Sequence, residues 1–340
     1  MHGIVFQGDC KLDLLAVPDP TPGPGEVVLE IKASGMCGSD LHFYRRPANA
    51  VVDAMIAGHE PCGVVVAVAP GVVSPYARIG ARVMVHHYHG CAGCIDCRSG
   101  WPQMCRNGPL TVYSANAHGA HAPYMKVRAD TLVPLDDNLS FEAGAAISCG
   151  TGTAWGAFER MKLTGRDTVA IFGQGPVGLS ATLLAKAQGA RIIALDVDEV
   201  RLKHARQFGA DIALNPRDGK IPEMIRDMTG GRGATMALET SGVARAGQDA
   251  LKCVEPWGTI CLVGLGAELT ISLSEFLRSQ LRILTSWTMS IPAQKACADF
   301  IVSRGIKLDP LFTDRWSLDQ AGAAYEKFNR QSGGKGVFLM

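Results

Sequence analysis

The second half of the chain repeats one pattern, in which a short apolar run is followed by a longer stretch with helical periodicity. The first run is β-branched and aromatic. The runs are Thr168–Phe172, Arg191–Leu195, Asp211–Leu214, Ala234–Glu239, Thr259–Val263 and Arg282–Ser286. Buried parallel strands that alternate with helices have this pattern. It predicts an α/β fold class, with a six-stranded, doubly wound sheet between about Cys149 and Ser286.

A glycine-rich turn joins the first of these strands to the helix after it, which extends to about Gln188. The turn reads Gly173-Gln174-Gly175-Pro176-Val177-Gly178, a GxGxxG sequence. In this context the first glycine permits the turn, the second lets the backbone approach a pyrophosphate, and the third allows close packing of helix and strand. The helix N-terminus adds free N–H groups and the positive end of a dipole. The segment predicts a dinucleotide-binding site.

An acidic residue follows the second strand of this pattern. Asp196 can accept hydrogen bonds from both hydroxyls of an adenosine ribose, but its charge would repel a 2′-phosphate. The next residue, Val197, offers no positive charge that would reverse this preference. The two residues together favour NAD over NADP as the cofactor.

The first half of the chain has a different pattern. The segments GEVVLEIKASG (residues 25–35) and GVVVAVA (residues 63–69) are β-rich and bounded by glycine, as in a small barrel. The nucleotide-binding pattern separates this half from the C-terminal residues. We therefore expect a discontinuous, β-rich catalytic domain of residues 1–148 and 287–340, and a Rossmann domain of residues 149–286.

Composition excludes several classes of protein. The 340 residues are 47% hydrophobic and 19% charged, which is enough for a large core. A formal net charge of +1 offers no electrostatic footprint for nucleic acid or an anionic membrane. The N-terminal segment has no basic region and carries Asp9 and Asp13, so we expect neither a signal peptide nor a membrane span. We expect a cytoplasmic protein whose cysteines are thiols or ligands rather than disulfides.

Four cysteines crowd the segment Gly90–Cys105. They are spaced C-x2-C-x2-C-x7-C and are Cys91, Cys94, Cys97 and Cys105. Paired thiolates on short loops fit one edge of a tetrahedral metal site, and four thiolates leave no open position, so such a zinc would be structural. A redox pair is disfavoured because the loop contains glycine and proline, whereas an iron–sulfur cluster remains open on spacing alone. We expect the histidines just upstream to be exposed or at the edge of the core: His86, His87 and His89.

Two other segments carry metal-ligating residues. GMCGSDLHFY (residues 35–44) supplies Cys37, Ser39, Asp40 and His42, and AGHEPCGVVVAVAPGV (residues 57–72) supplies His59 and Glu60. The second segment matches the pattern G-H-E-x2-G-x5-[GA]-x2-[IVSAC] at Gly58, His59, Glu60, Gly63, Ala69 and Val72. The chain therefore resembles the zinc-containing alcohol dehydrogenases of the medium-chain dehydrogenase/reductase superfamily. The resemblance continues through the four cysteines and the nucleotide-binding half to the C-terminal GGKGVFLM.

The resemblance implies a Rossmann domain beside a discontinuous, GroES-like catalytic domain. It also implies that Cys37, His59 and Cys149 hold a catalytic zinc, with the fourth position open to water or substrate. Some branches of the family have a carboxylate in place of Cys149, so the cysteine here argues against those polyol-type branches. With the four-cysteine site, two zinc ions per chain are expected.

Further roles carry over by position. Glu60 would lie near the metal and exchange with its water, while Asp40 would hydrogen-bond the second ring nitrogen of His59. Ser39 and His42 would form a proton relay that passes through the cofactor ribose to solvent. Arg201 matches a basic position near the adenine end, although an exposed helix charge explains it almost as well.

The implied activity is reversible hydride transfer between a primary or secondary alcohol and NAD, giving an aldehyde or ketone. Oxidation of an amino alcohol, a polyol or a thiol adduct at the same site is the alternative, followed by a silent dinucleotide-binding relative. A homodimer or homotetramer is expected. Two positions depart from the family: His121 replaces a common aromatic residue, and Trp287 lies where the substrate pocket or an interface could use it. The remaining cysteines are expected to be small buried residues: Cys10, Cys62, Cys253, Cys261 and Cys297.

Overall fold

The computed structural model describes residues 1–50, 54–266, 268–331 and 333–340, and it divides into two compact units. The first comprises Met1–Gly152, Ser290–Gln331 and Lys335–Met340, and the second comprises Thr153–Met289 with a short stretch at 333–334. These units differ by a few residues from the expected domains of 1–148 with 287–340 and of 149–286. Cys149 stays in the first unit because it ends a helix of that unit.

The strands of the described residues, in chain order, are β1 (His2–Gly8), β2 (Lys11–Ala16), β3 (Glu26–Gly35), β4 (Glu60–Val68), β5 (Arg82–Val85), β6 (Tyr88–His89), β7 (Thr111–Val112), β8 (Tyr124–Arg128), β9 (Leu132–Pro134), β10 (Thr168–Phe172), β11 (Arg191–Leu195), β12 (Ile212–Leu214), β13 (Ala234–Glu239), β14 (Val254–Leu262), β15 (Arg282–Thr285), β16 (Phe312–Trp316) and β17 (Lys335–Leu339). The helices are α1 (Asp40–Arg45), α2 (Ile95–Arg98), α3 (Phe141–Ser148), α4 (Gly150–Met161), α5 (Pro176–Ala187), α6 (Glu199–Gln207), α7 (Ile221–Met228), α8 (Ala244–Cys253), α9 (Leu273–Phe276), α10 (Ile291–Ser303) and α11 (Ala321–Asn329).

The first unit is built on a mixed sheet with the order β16-β17-β3-β4-β5-β9, to which β8 adds by pairing with β3. The long strands β3 and β4 run antiparallel, and the end of β3 lies beside the start of β4, with Gly35 opposite Glu60. This register brings the loop after β3 next to the segment that enters β4. A Cβ at Gly35 would lie within 2.0 Å of the Glu60 carboxylate, so only glycine fits this position.

The second unit contains the expected doubly wound sheet. Over the described residues its six strands are all parallel, in the order β12-β11-β10-β13-β14-β15. The strand order reverses between β10 and β13, which is where ligands bind in such sheets. The six predicted strands and the α/β fold class are confirmed. The largest difference is at β14, which begins at Val254 rather than Thr259 because the segment before the predicted run already pairs with β13.

All eleven cysteines lie within the described ranges, and each is in the thiol form rather than in a disulfide. The prediction of small buried residues is confirmed for Cys62, Cys253, Cys261 and Cys297. It is wrong for Cys10, which is exposed in the turn between β1 and β2, where the backbone has a positive φ of 59°. Among the helices of the described ranges, none is both long and apolar enough to cross a membrane.

Candidate metal centres and nucleotide site

One cluster of metal-ligating side chains is assembled from three distant segments. Cys37 follows β3, His59 and Glu60 enter β4, and Cys149 ends α3. One ligand atom from each of the four residues lies within 4.8 Å of the other three, and all four residues are buried. The sequence-predicted ligands Cys37, His59 and Cys149 are therefore brought together within the first unit.

The two thiols of this cluster have the separation that zinc requires. The Sγ atoms of Cys37 and Cys149 are 3.8 Å apart. Zinc–sulfur bonds of about 2.3 Å in a tetrahedron give an edge of about 3.8 Å. The hydrogen bond from Cys149 holds the pKa of Cys37 well below its usual value, which favours the thiolate form that binds metal. The donor set of two thiols and an imidazole thus fits zinc.

Asp40 orients the imidazole of this cluster. Its Oδ1 atom lies 2.9 Å from His59 Nδ1, and its Oδ2 atom accepts a hydrogen bond of 2.8 Å from the backbone N–H of Cys37. Burial disfavours a charged His59 ring, but Asp40 and Cys37 together raise its pKa well above the usual value. Because Nδ1 is held by a carboxylate, the Nε2 atom is the one that can bind a metal.

The predicted relay residues lie at different depths. Ser39 Oγ is 3.2 Å from His59 Nε2 and 3.3 Å from Cys37 Sγ, so its hydroxyl lies directly beside the ligand atoms. His42 is in α1 and is exposed to solvent. A proton relay needs a hydroxyl group beside the metal ligands and a titratable group at the surface, and Ser39 and His42 occupy these two positions.

The four cysteines of the segment Gly90–Cys105 form a second cluster, also within 4.8 Å of one another: Cys91, Cys94, Cys97 and Cys105. Backbone N–H groups of Cys97 and Arg106 lower the pKa of Cys94 to about 6. A Cβ at Gly90 would lie 2.6 Å from Cys97 Sγ, so the backbone is wrapped closely around the sulfurs. Four free thiols in this arrangement fit a closed thiolate site rather than a disulfide.

The glycine-rich turn of the second unit has the expected geometry. Gly173 has a φ of 86°, and a Cβ at Gly178 would lie 1.8 Å from the Gly173 carbonyl oxygen. Gly175 is the N-cap of α5, and Pro176 and Val177 are the first residues of that helix. A Cβ at Gly175 would meet no atom of the described residues within 4 Å. The turn is therefore tight where the helix meets the strand and open where a phosphate would approach.

Asp196 and Arg201 lie together at the end of β11. The Asp196 carboxylate accepts hydrogen bonds from the backbone N–H of Gln174 at 2.6 Å and of Asp198 at 2.9 Å. Arg201 Nη1 lies 3.8 Å from the same carboxylate, and Arg201 Nε donates to the carbonyl oxygen of Gly333 at 3.2 Å. Arg201 is thus held in place beside Asp196. The sequence analysis placed Arg201 near the adenine end but did not predict that it would lie beside Asp196.

Family models match both halves of the chain. Residues 23–137 match the alcohol dehydrogenase GroES-like domain, and residues 176–303 match the zinc-binding dehydrogenase domain. The chain belongs to the zinc-containing medium-chain alcohol dehydrogenase family. This confirms the resemblance and the pairing of a GroES-like with a Rossmann domain. It also makes the protein a zinc-dependent oxidoreductase that acts on small molecules.

Individual zinc-type dehydrogenases align along almost the whole chain. The zinc-type alcohol dehydrogenase-like protein YphC of Escherichia coli K12 is 36% identical over 96% of this chain and 94% of its own. Sorbitol dehydrogenase of Bacillus subtilis is 34% identical over 96% and 93%. An alcohol dehydrogenase of Escherichia coli CFT073, solved with NADH, superposes with a TM-score of 0.90 at 26% identity, over 100% of this chain and 99% of its own.

Sequence reasoning missed a lysine beside the Cys37–His59–Cys149 cluster of this dehydrogenase. Lys335, the first residue of β17, is 1% exposed and forms an ion pair with Glu60. Its Nζ atom also donates to the carbonyl oxygen of Met36 at 3.1 Å. Burial raises the pKa of Glu60 to about 8, although Lys335 acts in the opposite direction. The sequence feature that could have indicated a buried lysine is its position at the start of the apolar run KGVFL.

The expectation for the upstream histidines is wrong for two of them. His86 and His87 are buried, at 0% and 2% exposure, because the loop after β5 runs inward beside the Cys37–His59–Cys149 cluster. The rings of His87 and His59 have centroids 5.1 Å apart. His87 Nδ1 lies 3.1 Å from the Ser148 carbonyl oxygen, which can only accept, so Nδ1 carries the proton and Nε2 is an acceptor.

The two departures from the family also differ in exposure. His121 is completely buried and is hydrogen-bonded on both ring nitrogens, to Ser34 and to Tyr325. Trp287 is 51% exposed in the second unit, just after β15. His121 therefore belongs to the interior of the first unit, and Trp287 to the surface of the second.

Proposed function

We propose that the protein is an alcohol dehydrogenase that transfers a hydride reversibly between a primary or secondary alcohol and NAD. The observation that carries this proposal is the cluster of Cys37, His59 and Cys149, whose thiol separation of 3.8 Å fits zinc. Three protein ligands leave a position for substrate, which distinguishes this cluster from the four-cysteine one. The four-cysteine cluster is the site proposed for a second, structural zinc.

The residues around the cluster have separate roles in the proposed hydride transfer. Zinc held there supplies Lewis-acid chemistry to the alcohol oxygen, and NAD is the hydride acceptor. Ser39 receives the alcohol proton, since its hydroxyl lies beside the ligand atoms. His42, exposed on α1, releases that proton to solvent. Asp40 holds His59 in the tautomer that leaves Nε2 free.

The preference for NAD rests on Asp196. Its carboxylate is fixed at the end of β11 by two backbone N–H groups, which supports a role in binding the ribose hydroxyls. Asp196→Ala is expected to weaken NAD binding about 10–100-fold. Because Arg201 remains beside the emptied position, the same variant is expected to gain affinity for NADP. Asp198→Ala, which removes a helix cap two residues away, is the matched control and keeps the preference.

A polyol or amino alcohol is a second candidate substrate, and His87 favours it. A substrate that carries another hydroxyl or ammonium group beside the reacting carbon could donate to His87 Nε2. A simple aliphatic alcohol has no group to use this acceptor, which is an unusual one to bury beside a substrate site. The polyol that gives the Bacillus subtilis relative its name fits the same interpretation.

A homodimer or homotetramer and a cytoplasmic location complete the proposal. β15 pairs only with β14 in the described part of the sheet, so its other edge is open. Large apolar side chains around this strand are exposed: Leu265, Leu273, Leu277, Ile283 and Trp287. An open strand edge with apolar surroundings supports pairing with a second copy. The free thiols support a reducing compartment.

The test is nicotinamide absorbance of the purified enzyme with NAD or NADP and a panel of primary, secondary, aromatic, amino and polyhydric alcohols. We expect turnover with NAD that a chelator abolishes. A preference for polyols or amino alcohols that disappears in His87→Phe would select the second candidate. Turnover that survives complete removal of zinc would contradict both candidates. Light scattering of the wild type and Ile283→Lys tests the open strand edge, and we expect the variant to dissociate.

A further inference from the structure

A chain of hydrogen bonds leads from the zinc cluster into the interior of the first unit. Asp40, which holds His59, lies 3.4 Å from the hydroxyl of Tyr325. That hydroxyl is 2.8 Å from His121 Nε2, and His121 Nδ1 is 2.7 Å from Ser34 Oγ. Three elements contribute to it besides α1, namely β3, the segment before β8, and α11.

The chemistry of the groups gives this chain one direction. A carboxylate only accepts, so Tyr325 gives its single hydrogen to Asp40. The hydroxyl oxygen then accepts from His121 Nε2–H, which leaves Nδ1 to accept the hydrogen of Ser34. Burial lowers the pKa of His121 to about 4, so the ring is neutral and carries one N–H. Each donor therefore points toward Asp40.

The fold is adapted to hold this chain. Ser34, His121 and Tyr325 are all 0% exposed, and Asp40 is 1% exposed. Gly58, the residue before the ligand His59, has a φ of 89°, and a Cβ there would lie 2.3 Å from His121 Nδ1. A phenylalanine pair would fill the same space without the cost of burying polar groups. This hydrogen-bonded chain reaches the metal-ligating cluster through Asp40, which contacts both Tyr325 and His59.

We propose that Tyr325 and His121 are positioning residues, which strengthen zinc binding at His59 by fixing the orientation of Asp40. This inference rests on the proposed function, since it assigns zinc to the cluster of Cys37, His59 and Cys149. A partner of a ligating histidine affects metal affinity because it fixes the ring and raises its basicity. Loss of such a partner weakens metal binding about 10–100-fold. Since Tyr325 acts one bond further out, the lower end of that range is expected.

The experiment measures zinc release from the full-length holoenzyme into a chromogenic chelator. Two phases are expected, one for each cluster, and Cys94→Ser identifies the phase of the four-cysteine cluster. Tyr325→Phe removes one oxygen and is expected to accelerate only the other phase, about tenfold. Tyr44→Phe is the matched control, because Tyr44 packs against Tyr325 with ring centroids 5.4 Å apart but lies outside the hydrogen-bonded chain.

His121 reaches Asp40 only through the hydroxyl of Tyr325, and a double mutant tests this dependence. His121→Phe is expected to accelerate the same phase, and Tyr325→Phe with His121→Phe is expected to add little to either change alone. Unchanged release in Tyr325→Phe would overturn the inference. Equal acceleration of both phases, or the same acceleration in Tyr44→Phe, would also overturn it, because the effect would then be a general loosening. A wild type without zinc at the first cluster would instead overturn the proposed function.

Discussion

The two clusters of metal-ligating residues in this dehydrogenase are built in opposite ways. The four-cysteine cluster takes all its ligands from the single segment Gly90–Cys105. The Cys37–His59–Cys149 cluster joins thiols that are 112 residues apart in sequence and depends on the pairing of β3 with β4. A local cluster can form wherever its own loop folds around a metal. A dispersed cluster exists only when the sheet is complete, and it can then keep one position for substrate.

The largest effect is expected at the dispersed cluster. Cys37→Ser is expected to abolish alcohol-dependent NADH formation, because two ligands do not hold zinc firmly. NAD binding, measured by fluorescence titration, should persist because the nucleotide turn lies in the other unit. Cys62→Ser is the matched control, since Cys62 is a buried thiol that bonds the Val83 carbonyl oxygen instead. An active Cys37→Ser enzyme would refute the zinc assignment.

A second contrast concerns the ion pairs of the two regions. Lys335→Met leaves Glu60 buried without its partner, and we expect it to destabilise the protein by about 3 kcal/mol. Arg106, which directly follows the four-cysteine segment, pairs with Asp96 inside it and is exposed, so Arg106→Met should leave the free energy of unfolding unchanged. Urea unfolding of both variants checks this. Equal free energies of unfolding for the two variants would mean that the buried pair beside the dispersed cluster does not stabilise the protein.

Loss of the local cluster should affect stability more than chemistry. Cys94→Ser is expected to remove one equivalent of metal and to lower Tm by roughly 5 °C, while the remaining zinc supports turnover. Metal analysis and calorimetry give the two readouts. The exposed Cys10 provides the control Cys10→Ser. Full metal content in Cys94→Ser would show that the four sulfurs do not hold a metal together.

The smallest effect is a pH dependence specific to the interior beside the dispersed cluster. Burial lowers the pKa of His121 to about 4, below its usual value near 6.5. The unfolded chain therefore binds this proton first as the pH falls, so stability is complete above about pH 6.5 and is lost toward pH 4. Between pH 7 and 5 the loss is about 2 kcal/mol. His121→Phe should flatten that part of the curve, whereas a change at the exposed His2 should not.

The same contrast explains which parts of the molecule could be predicted from sequence. The four-cysteine segment, the GxGxxG turn and the six strands of the second unit are local patterns, and the structure contains each of them. Cys37, His59 and Cys149 were linked only through the resemblance to a family, since no spacing connects them. Lys335, Tyr325 and the inward position of His87 could not be predicted, because each depends on strands and helices that meet across the fold.

The position of Lys335 in the last strand has a consequence for biosynthesis. The second unit is almost continuous, and its sheet is complete once residue 285 has been made. The first unit lacks β16 and β17 until residues 312–339 have been made. Until then the Ala33–Gly35 end of β3 has β4 beside it but not β17, and Glu60 has no cation. A ribosome-bound chain would thus hold a complete second unit before the surroundings of the Cys37–His59–Cys149 cluster are complete.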